Sequence, residues 1–376
     1  MIYFHIPFCK QACHYCDFHF STSLKYKAEM LDALQQEITL RAAYLEEKTI
    51  HSIYFGGGTP SILEASEIEQ LIGTVAKHFD IAHDAEITLE ANPDDLTVTK
   101  VRDLRSTPVN RFSIGIQSFF EEDLRWMNRA HNASEAEASI KRVQDAGFEN
   151  ITCDLIYGYP LLTDEKWTSN IAQLTDNQIP HISSYAMTVE QRTALNHMIS
   201  KGKTPAMNEE QSAAQFEILM QELRAHGYEH YEISNFAKSN HYAKHNTNYW
   251  KGQPYLGIGP SAHSFNATSR SWNIANNALY MAGIQKKELP LETEILSFAD
   301  RFNEYVMTSL RTMWGINLKK VESDFGPDLL KHLLHESGDY LEQGAIERTP
   351  ENFLRLTLQG KLLADRIASD IFWVEE

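Results

Sequence analysis

Over roughly the first 190 residues, short apolar runs alternate with longer amphipathic stretches, and that alternation limits the chain to very few folds. The runs Ile2–Ile6, Ser52–Phe55, Glu86–Glu90, Arg111–Gln117, Ile151–Tyr157 and His181–Met187 read as strands. Between them Leu24–Tyr44, Glu64–Phe79, Thr97–Arg105, Ser134–Ala146 and Lys166–Leu174 read as helices. In the first of these, Leu31, Leu34, Ile38 and the Arg41-Ala42 pair recur at the 3–4 spacing of a helix with one buried face. Six strands alternating with helices imply parallel βαβ units, right-handed crossovers and a sheet buried on both faces. The fold class is therefore α/β, an incomplete (β/α)6 barrel of the TIM-like kind. Such a sheet carries its function on the loops that follow the strands.

The chemically distinctive residues fall at those places. Cys9, Cys13 and Cys16 follow the first run, Gly56-Gly57-Gly58-Thr59-Pro60 the second, and Glu90 with Asn92-Pro93 the third. Gln117 closes the fourth run, and Asp154 lies inside the fifth, sharing a face with Thr152 and Ile156. A carboxylate inside a closed barrel is costly to bury unless it meets a donor or a ligand. The three thiols, spaced C-x3-C-x2-C, converge on one soft metal centre. A closed structural zinc needs a fourth ligand, which His5, His14 or His19 would supply. A cubane iron–sulfur cluster held by three thiolates keeps one coordination position free. Spacing alone leaves both readings standing. Disulfides are disfavoured, because the local thiols are odd in number and no secretory signal precedes them.

Composition removes several functions. Lys plus Arg is 34 against 51 Asp plus Glu, a formal charge of −17, and such a surface repels phosphate backbones, so no nucleic-acid partner is expected. The same charge weighs against RNA modification. No apolar run approaches the ~20 residues of a membrane span. The chain starts almost directly in a strand, which leaves no room for a targeting peptide. With its unpaired thiols it reads as cytoplasmic. Peripheral membrane contact and a homodimer stay open.

Beyond about residue 190 the alternation fades. Asn208–Ala225 reads as a helix, and Gly252–Ser264, punctuated by Gly and Pro, as a loop crossing back over the site. The expected division is a barrel domain over 1–235 and a C-terminal domain over 236–376. The latter is mainly helical and winged-helix-like from about 296, with helices at Phe298–Met313, Pro327–Glu342 and Gly360–Ile371 and a wing strand at Phe353–Thr357. Its charge is mixed rather than basic, which favours a packing or interaction role over DNA reading.

Tyr3-Phe4-His5-Ile6-Pro7-Phe8-Cys9, the cysteine spacing, the Gly56–Pro60 run, Glu90-x-Asn92-Pro93, Gly115–Phe119, Asn128-Arg129 and Asp154–Gly158 together resemble the radical S-adenosylmethionine (SAM) superfamily. More narrowly, the chain resembles the family of oxygen-independent coproporphyrinogen III oxidase and its haem-chaperone relatives, over essentially its whole length. That resemblance implies a [4Fe–4S] cluster on Cys9, Cys13 and Cys16, with SAM chelating the free iron. Reduction would then cleave the sulfonium bond to a 5′-deoxyadenosyl radical. It further implies that Tyr3 and Tyr15 flank the cluster and adenine, and that Gly57, Gly58 and Thr59 let the backbone approach SAM. Glu90 is implied as a SAM contact, and Gln117, Arg129, Asp154 and Ala186 as lining the rest of its cavity. Two departures favour the haem-chaperone branch. The oxidase pattern has a further cysteine where this chain has Phe18, and only eight residues precede Cys9. His245-Asn246-Thr247-Asn248-Tyr249-Trp250 is similar to the H-N-x-x-Y-W signature of that branch, which implies His245 as a haem ligand. The expected function is haem binding and delivery to haem-accepting proteins. The alternative is oxidative decarboxylation of coproporphyrinogen III in porphyrin biosynthesis, so enzymatic turnover is left open.

Overall fold

In each of the first six strands one face is apolar and the other polar, and this two-sidedness sets the architecture. The computed structural model describes residues 1–374. The strands are β1 (Ile2–Ile6), β2 (Thr49–Gly57), β3 (Asp80–Ala91), β4 (Arg111–Gln117), β5 (Asn150–Tyr157) and β6 (His181–Ala186). They pair in parallel in sequence order, as expected. Phe4, Phe55, Leu89, Ile114 and Leu155 are fully buried on the outer face, where they join one continuous apolar core. The connecting helices are α1 (Lys27–Leu40), α2 (Ala65–Ala76), α3 (Val98–Arg105), α4 (Glu121–Trp126), α5 (Ala133–Asp145) and α6 (Asp164–Asp176). Their starts are written locally. Thr97 and Thr163 accept the orphan N–H groups of Lys100 and Lys166, and Asn132 with Glu135 forms a capping box. The short α4 was not expected.

The opposite face is polar. Ser52 and Tyr54 of β2, Glu86 and Glu90 of β3, Arg111 and Ser113 of β4, Thr152 and Asp154 of β5, and His181 and Ser183 of β6 occupy alternate positions. Strict period 2 sends all of these to the concave side.

The sheet extends past the six strands at both ends. After α7 (Ala194–Ser200) and α8 (Glu209–Ala225), β7 (Glu229–Glu232) and β8 (Asn235–Ala237) add antiparallel beyond β6. Then α9 (Lys244–Trp250) leads to β9 (Leu256–Ile258), which pairs in parallel with the free edge of β1, Ile2 opposite Leu256 and Phe4 opposite Ile258. The nine-stranded order is β7-β8-β6-β5-β4-β3-β2-β1-β9. The barrel is thus incomplete, as expected, but two expectations need correcting. Gly252–Ser264 is not a loop over the site. It forms β9 and the start of β10 (His263–Phe265), because an unpaired β1 edge is a template for another strand. A division between 235 and 236 would cut through β8, and β9 shares the barrel core through Leu256 and Ile258.

A buried carboxylate locks that edge in place. Glu37 on α1 accepts from the Gly259 N–H (2.8 Å), Asn273 Nδ2 (2.7 Å) and Tyr280 Oη (2.6 Å). These belong to the segment carrying β11 (Ser269–Asn273), α10 (Asn277–Gln285) and β12 (Leu291–Ile295).

A second apolar core begins only at Phe302 and runs to Ile371. It lies within α11 (Phe298–Leu310), β13 (Ile316–Asn317), α12 (Leu318–Glu336), α13 (Gly338–Glu342), β14 (Ile346–Arg348), β15 (Phe353–Leu356), α14 (Leu358–Lys361) and α15 (Ala364–Ile371). β13, β15 and β14 form a small antiparallel sheet in the order β13-β15-β14. Arg311 fastens this unit to the barrel through Glu232, at 3.0 Å.

Candidate functional site

The loops after β1 and β2 are stitched together by backbone bonds. Gly58 N–H donates to the Ile6 carbonyl (2.9 Å), Thr59 N–H to the Phe8 carbonyl (2.7 Å), and Cys9 N–H to the Ser21 carbonyl (3.0 Å). This close approach needs glycine. A Cβ at Gly58 would stand 2.5 Å from the Phe8 oxygen, and Gly57 has φ +102° with the His5 ring in the way of any side chain. The result brings Cys9, Cys13 and Cys16 to the wall of one cavity of about 420 Å³ at the C-terminal ends of the strands. Thr59 Oγ1 donates to Cys9 Sγ and Arg129 Nη1 to Cys13 Sγ, each at 3.4 Å. Burial pushes the Cys16 thiol up to about 12, so a bound cation is needed to draw its proton off.

Arg129 organises the neighbouring wall. Its guanidinium donates to Tyr15 Oη (3.3 Å), Asn92 Oδ1 (2.7 Å) and the Gly115 carbonyl (2.9 Å), while Nε is buried without a partner among the described residues. β4 ends in a bulge: pairing steps from Ile114 opposite Cys153 to Gln117 opposite Leu155, and Gln117 takes φ +67°. The extra residue turns the Gln117 side chain into the mouth, a strained conformation of the kind found at working sites.

Two carboxylates face the cavity from the polar side of the sheet. Tyr54 Oη donates to Glu90 Oε1 at 2.7 Å, and Ser113 Oγ donates to Asp154 Oδ2 at 3.2 Å. Burial, reinforced by the nearby Asp154 charge, raises Glu90 to about 7. Burial likewise raises Asp154 to about 6, against the pull of its serine donors and of Arg111. The pair can therefore exchange protons near neutrality, and each can accept from the ammonium or hydroxyl groups of a ligand.

Gly57, Gly58, Thr59 and Ala186 also line the cavity, together with Tyr15, so the expected site residues gather at one mouth with two exceptions. Tyr3 lies behind the wall, its ring stacked on Tyr54 and its hydroxyl 3.2 Å from His5 Nδ1. His245 is buried beneath the cavity rather than in its wall. There α9 closes the other end of the barrel: the Lys244 and His245 N–H groups each donate to the Glu86 carboxylate at 2.9 Å, and Asn246 reaches the cavity floor. Tyr54, Arg111, Ser113, Ser183 and Asn246 are wall residues that the sequence reading did not single out. The period-2 polar positions of β2, β4 and β6 carried a signal for all but Asn246. Phe18 stands at the rim, 66% exposed, where the oxidase pattern would have a thiol.

Three converging thiols, a glycine-lined backbone cradle and a polar barrel mouth define the site of a radical SAM protein. The sequence profile of the Radical SAM superfamily matches residues 3–172, and that of the HemN C-terminal domain matches residues 296–363. The heme chaperone HemW of Bacillus subtilis is 33% identical over 368 residues, 97% of each chain, and that of Haemophilus influenzae is 30% identical over 100% of this chain and 98% of its own. The Escherichia coli heme chaperone HemW is 35% identical over 70% of this chain and 69% of its own. In structure, coproporphyrinogen III oxidase (HemN) from Escherichia coli superposes with a TM-score of 0.85 at 23% identity, covering 99% of this chain and 89% of that one, a likeness of fold. The chain belongs to the HemW family of the radical SAM superfamily.

Acid stability follows from the buried titratable groups. Burial depresses His5 to about 4 and His131, His230 and His245 to about 3, and lowers His181 as well. Depressed histidines contribute stability above their ordinary 6.5 that is lost as pH falls. Glu90 and Asp154, raised, act oppositely: their contribution is present at low pH and lost as pH rises through about 7 and 6. Burial lowers His263 and raises Glu37 in the same senses, so six histidines against three carboxylates decide the sign. The thermal midpoint of the protein is expected to fall between about pH 6.5 and about pH 4; a rise over that window in calorimetry would show that the three carboxylates dominate.

Proposed function

We propose that the protein is a haem chaperone: it binds a [4Fe–4S] cluster through Cys9, Cys13 and Cys16, SAM beside it, and haem, which it hands to haem-accepting proteins in a reducing cytoplasm. The observation that carries this reading is the likeness to heme chaperones over nearly the whole chain, with Phe18 at the rim in place of a further thiol.

The residues present fit the cluster and SAM. The donor set is three soft thiols on one wall, with N–H and O–H donors aimed at two of the sulfurs. The glycine cradle leaves room that a Cβ would fill, and the cavity volume suits a nucleoside-sized ligand. Among the described residues, no helix is long and apolar enough to cross a membrane. When bound, the cluster supplies one-electron reduction of the SAM sulfonium. Glu90 and Asp154 orient the cofactor by accepting hydrogen bonds, Gln117 and Arg129 position it from the adjacent wall, and the aromatic side chains around the mouth exclude water.

For haem, His245 has the right chemistry. Burial keeps its imidazole neutral, Ser52 Oγ pairs with Nδ1 at 2.9 Å, and Nε2 makes no hydrogen bond among the described residues. The residue is 8% exposed at the barrel end, where Ser52 and the Glu86 carboxylate hold it.

The test is anaerobic reconstitution followed by separate titrations with haem and with SAM plus coproporphyrinogen III. Haem should bind with a Soret band that His245→Ala weakens at least about tenfold, and no porphyrinogen should be consumed. Porphyrinogen turnover with release of 5′-deoxyadenosine would replace the chaperone reading with the oxidase one.

A further inference from the structure

The segment that leaves α4 is clasped to the cysteine loop. His14 N–H donates to the Met127 carbonyl at 3.0 Å, and His14 Nδ1 donates to the Trp126 carbonyl at 2.8 Å. Asn128 Nδ2 donates to the Ala12 carbonyl (2.7 Å), and its Oδ1 accepts from Gln11 Nε2 (2.8 Å). Asn128 takes φ +57°, a left-handed turn that asparagine tolerates, and the next residue, Arg129, points back at the thiols. Arg129 Nη2 is fixed by Asn92 Oδ1 (2.7 Å) and the Gly115 carbonyl (2.9 Å), where a Cβ on Gly115 would stand 3.2 Å from it. Nη1 is left facing Cys13 Sγ (3.4 Å) and Tyr15 Oη (3.3 Å). None of these four acceptors is a carboxylate, and Nε is buried without a partner among the described residues. The pull of the guanidinium on Asp154 is weaker than that of Arg111 or of the serine donors. A guanidinium partly sealed from water without a counter-charge is costly. The anion that its geometry provides for is the thiolate of Cys13.

We propose that Arg129 is the built-in counter-charge of the iron–sulfur cluster and raises its reduction potential. This rests on the reading above, that Cys9, Cys13 and Cys16 hold a [4Fe–4S] cluster. Three thiolates outweigh the charge of the cubane core, so the bound cluster is an anion, and one added electron makes it more negative. That electron comes from an external low-potential donor and enters the iron core; no bond breaks and no proton moves. A fixed cation beside one thiolate stabilises the reduced state more than the oxidised one, which raises the potential. Thr59, donating to Cys9 Sγ at 3.4 Å, adds a dipole but no charge, so Arg129 is the larger influence. Were the guanidinium there only to meet SAM, a SAM-free cluster would not register its removal.

The experiment uses the full chain with its cluster rebuilt anaerobically and no SAM present. Titration with dithionite and mediators, followed by electron paramagnetic resonance, gives the midpoint potential of the wild type, Arg129→Met and Arg129→Lys, with iron per chain measured beside it. At the wild-type midpoint, Arg129→Met should lower the ratio of reduced to oxidised cluster about tenfold, or ~59 mV for a one-electron couple. Arg129→Lys should restore most of that ratio, because the charge returns although the planar fork does not. A merely structural arginine would change the cluster content and leave the potential of the clusters that form unmoved. A second measurement is made on the wild type: with nitrogen-15 arginine incorporated, pulsed paramagnetic resonance of the reduced cluster should show a weakly coupled nitrogen-15 nucleus, which Arg129→Lys removes. An Arg129→Met chain that fails to hold its cluster leaves that measurement decisive. An unmoved potential in Arg129→Met, or no arginine nitrogen coupled to the wild-type cluster, would overturn this inference alone. A wild-type protein that took up no iron–sulfur cluster would overturn the functional reading with it.

Discussion

Cys13→Ala is expected to abolish the iron–sulfur cluster outright. Each of the three thiols supplies one iron ligand in the proposed site, and no fourth cysteine can substitute, because Cys153 is fully buried on the outer face of β5. Reconstituted Cys13→Ala should contain background iron and sulfide, lack the visible charge-transfer absorption, and bind SAM no better than an aerobically stripped wild-type sample. Its far-ultraviolet circular dichroism should be unchanged, since Cys13 lies at the mouth and belongs to neither apolar core. Cys153→Ala is the control and should keep its cluster. Cluster retention in Cys13→Ala would mean that a different ligand completes the site and that the three-thiol reading is wrong.

The largest loss of stability is expected from Arg111. Its side chain is 1% exposed inside the barrel, bonded to Thr88 Oγ1 at 3.4 Å and to Thr152 Oγ1, with Glu86 3.8 Å from Nε. Arg111→Met keeps the volume but leaves the Glu86 carboxylate without its buried counter-charge, a change that typically costs 3–5 kcal/mol. The Lys244 and His245 N–H groups still reach Glu86, so the expected loss is about 3 kcal/mol, at the low end of that range. Urea unfolding monitored by tryptophan fluorescence checks it. A loss below about 1 kcal/mol would mean that the α9 N-terminus alone compensates Glu86. Because Arg111 also lines the cavity, reduced SAM affinity should accompany the instability.

Much of this molecule was readable before its folding was known, and the exceptions share a cause. The bounds of β1 and β4 were legible to the residue, and α3 and α5 to within one or two, because apolar period and capping residues are local signals. The cysteines, the glycine run, Glu90, Gln117 and Asp154 were legible as chemistry from their places in or just after strands, whereas Arg129, in the loop after α4, came only from the family likeness. Three features were not. β9 is three residues long and earns its place only from the unpaired edge of β1, a partner some 250 residues away. The boundary at 235 failed because the chain leaves the barrel and returns to it, and composition does not register a return. The signature likeness implies His245 as a haem ligand but says nothing of its place, which Ser52, Tyr54 and Glu86 set inside the barrel end.

The sequence by itself determined the repeating strand–helix order, the polar alternate positions and the three-thiol loop, because these depend on neighbours a few residues apart. Only the tertiary structure decided which polar residues of separate strands meet: Tyr54 with Glu90, Ser113 with Asp154, Ser52 with His245, and Glu86 with Arg111 and the start of α9. Side chains tens to nearly two hundred residues apart meet there for one reason: parallel pairing lines up the polar faces of neighbouring strands, Ser52 opposite Glu86, Thr88 opposite Arg111 and Glu90 opposite Ser113, whatever the length of chain between them.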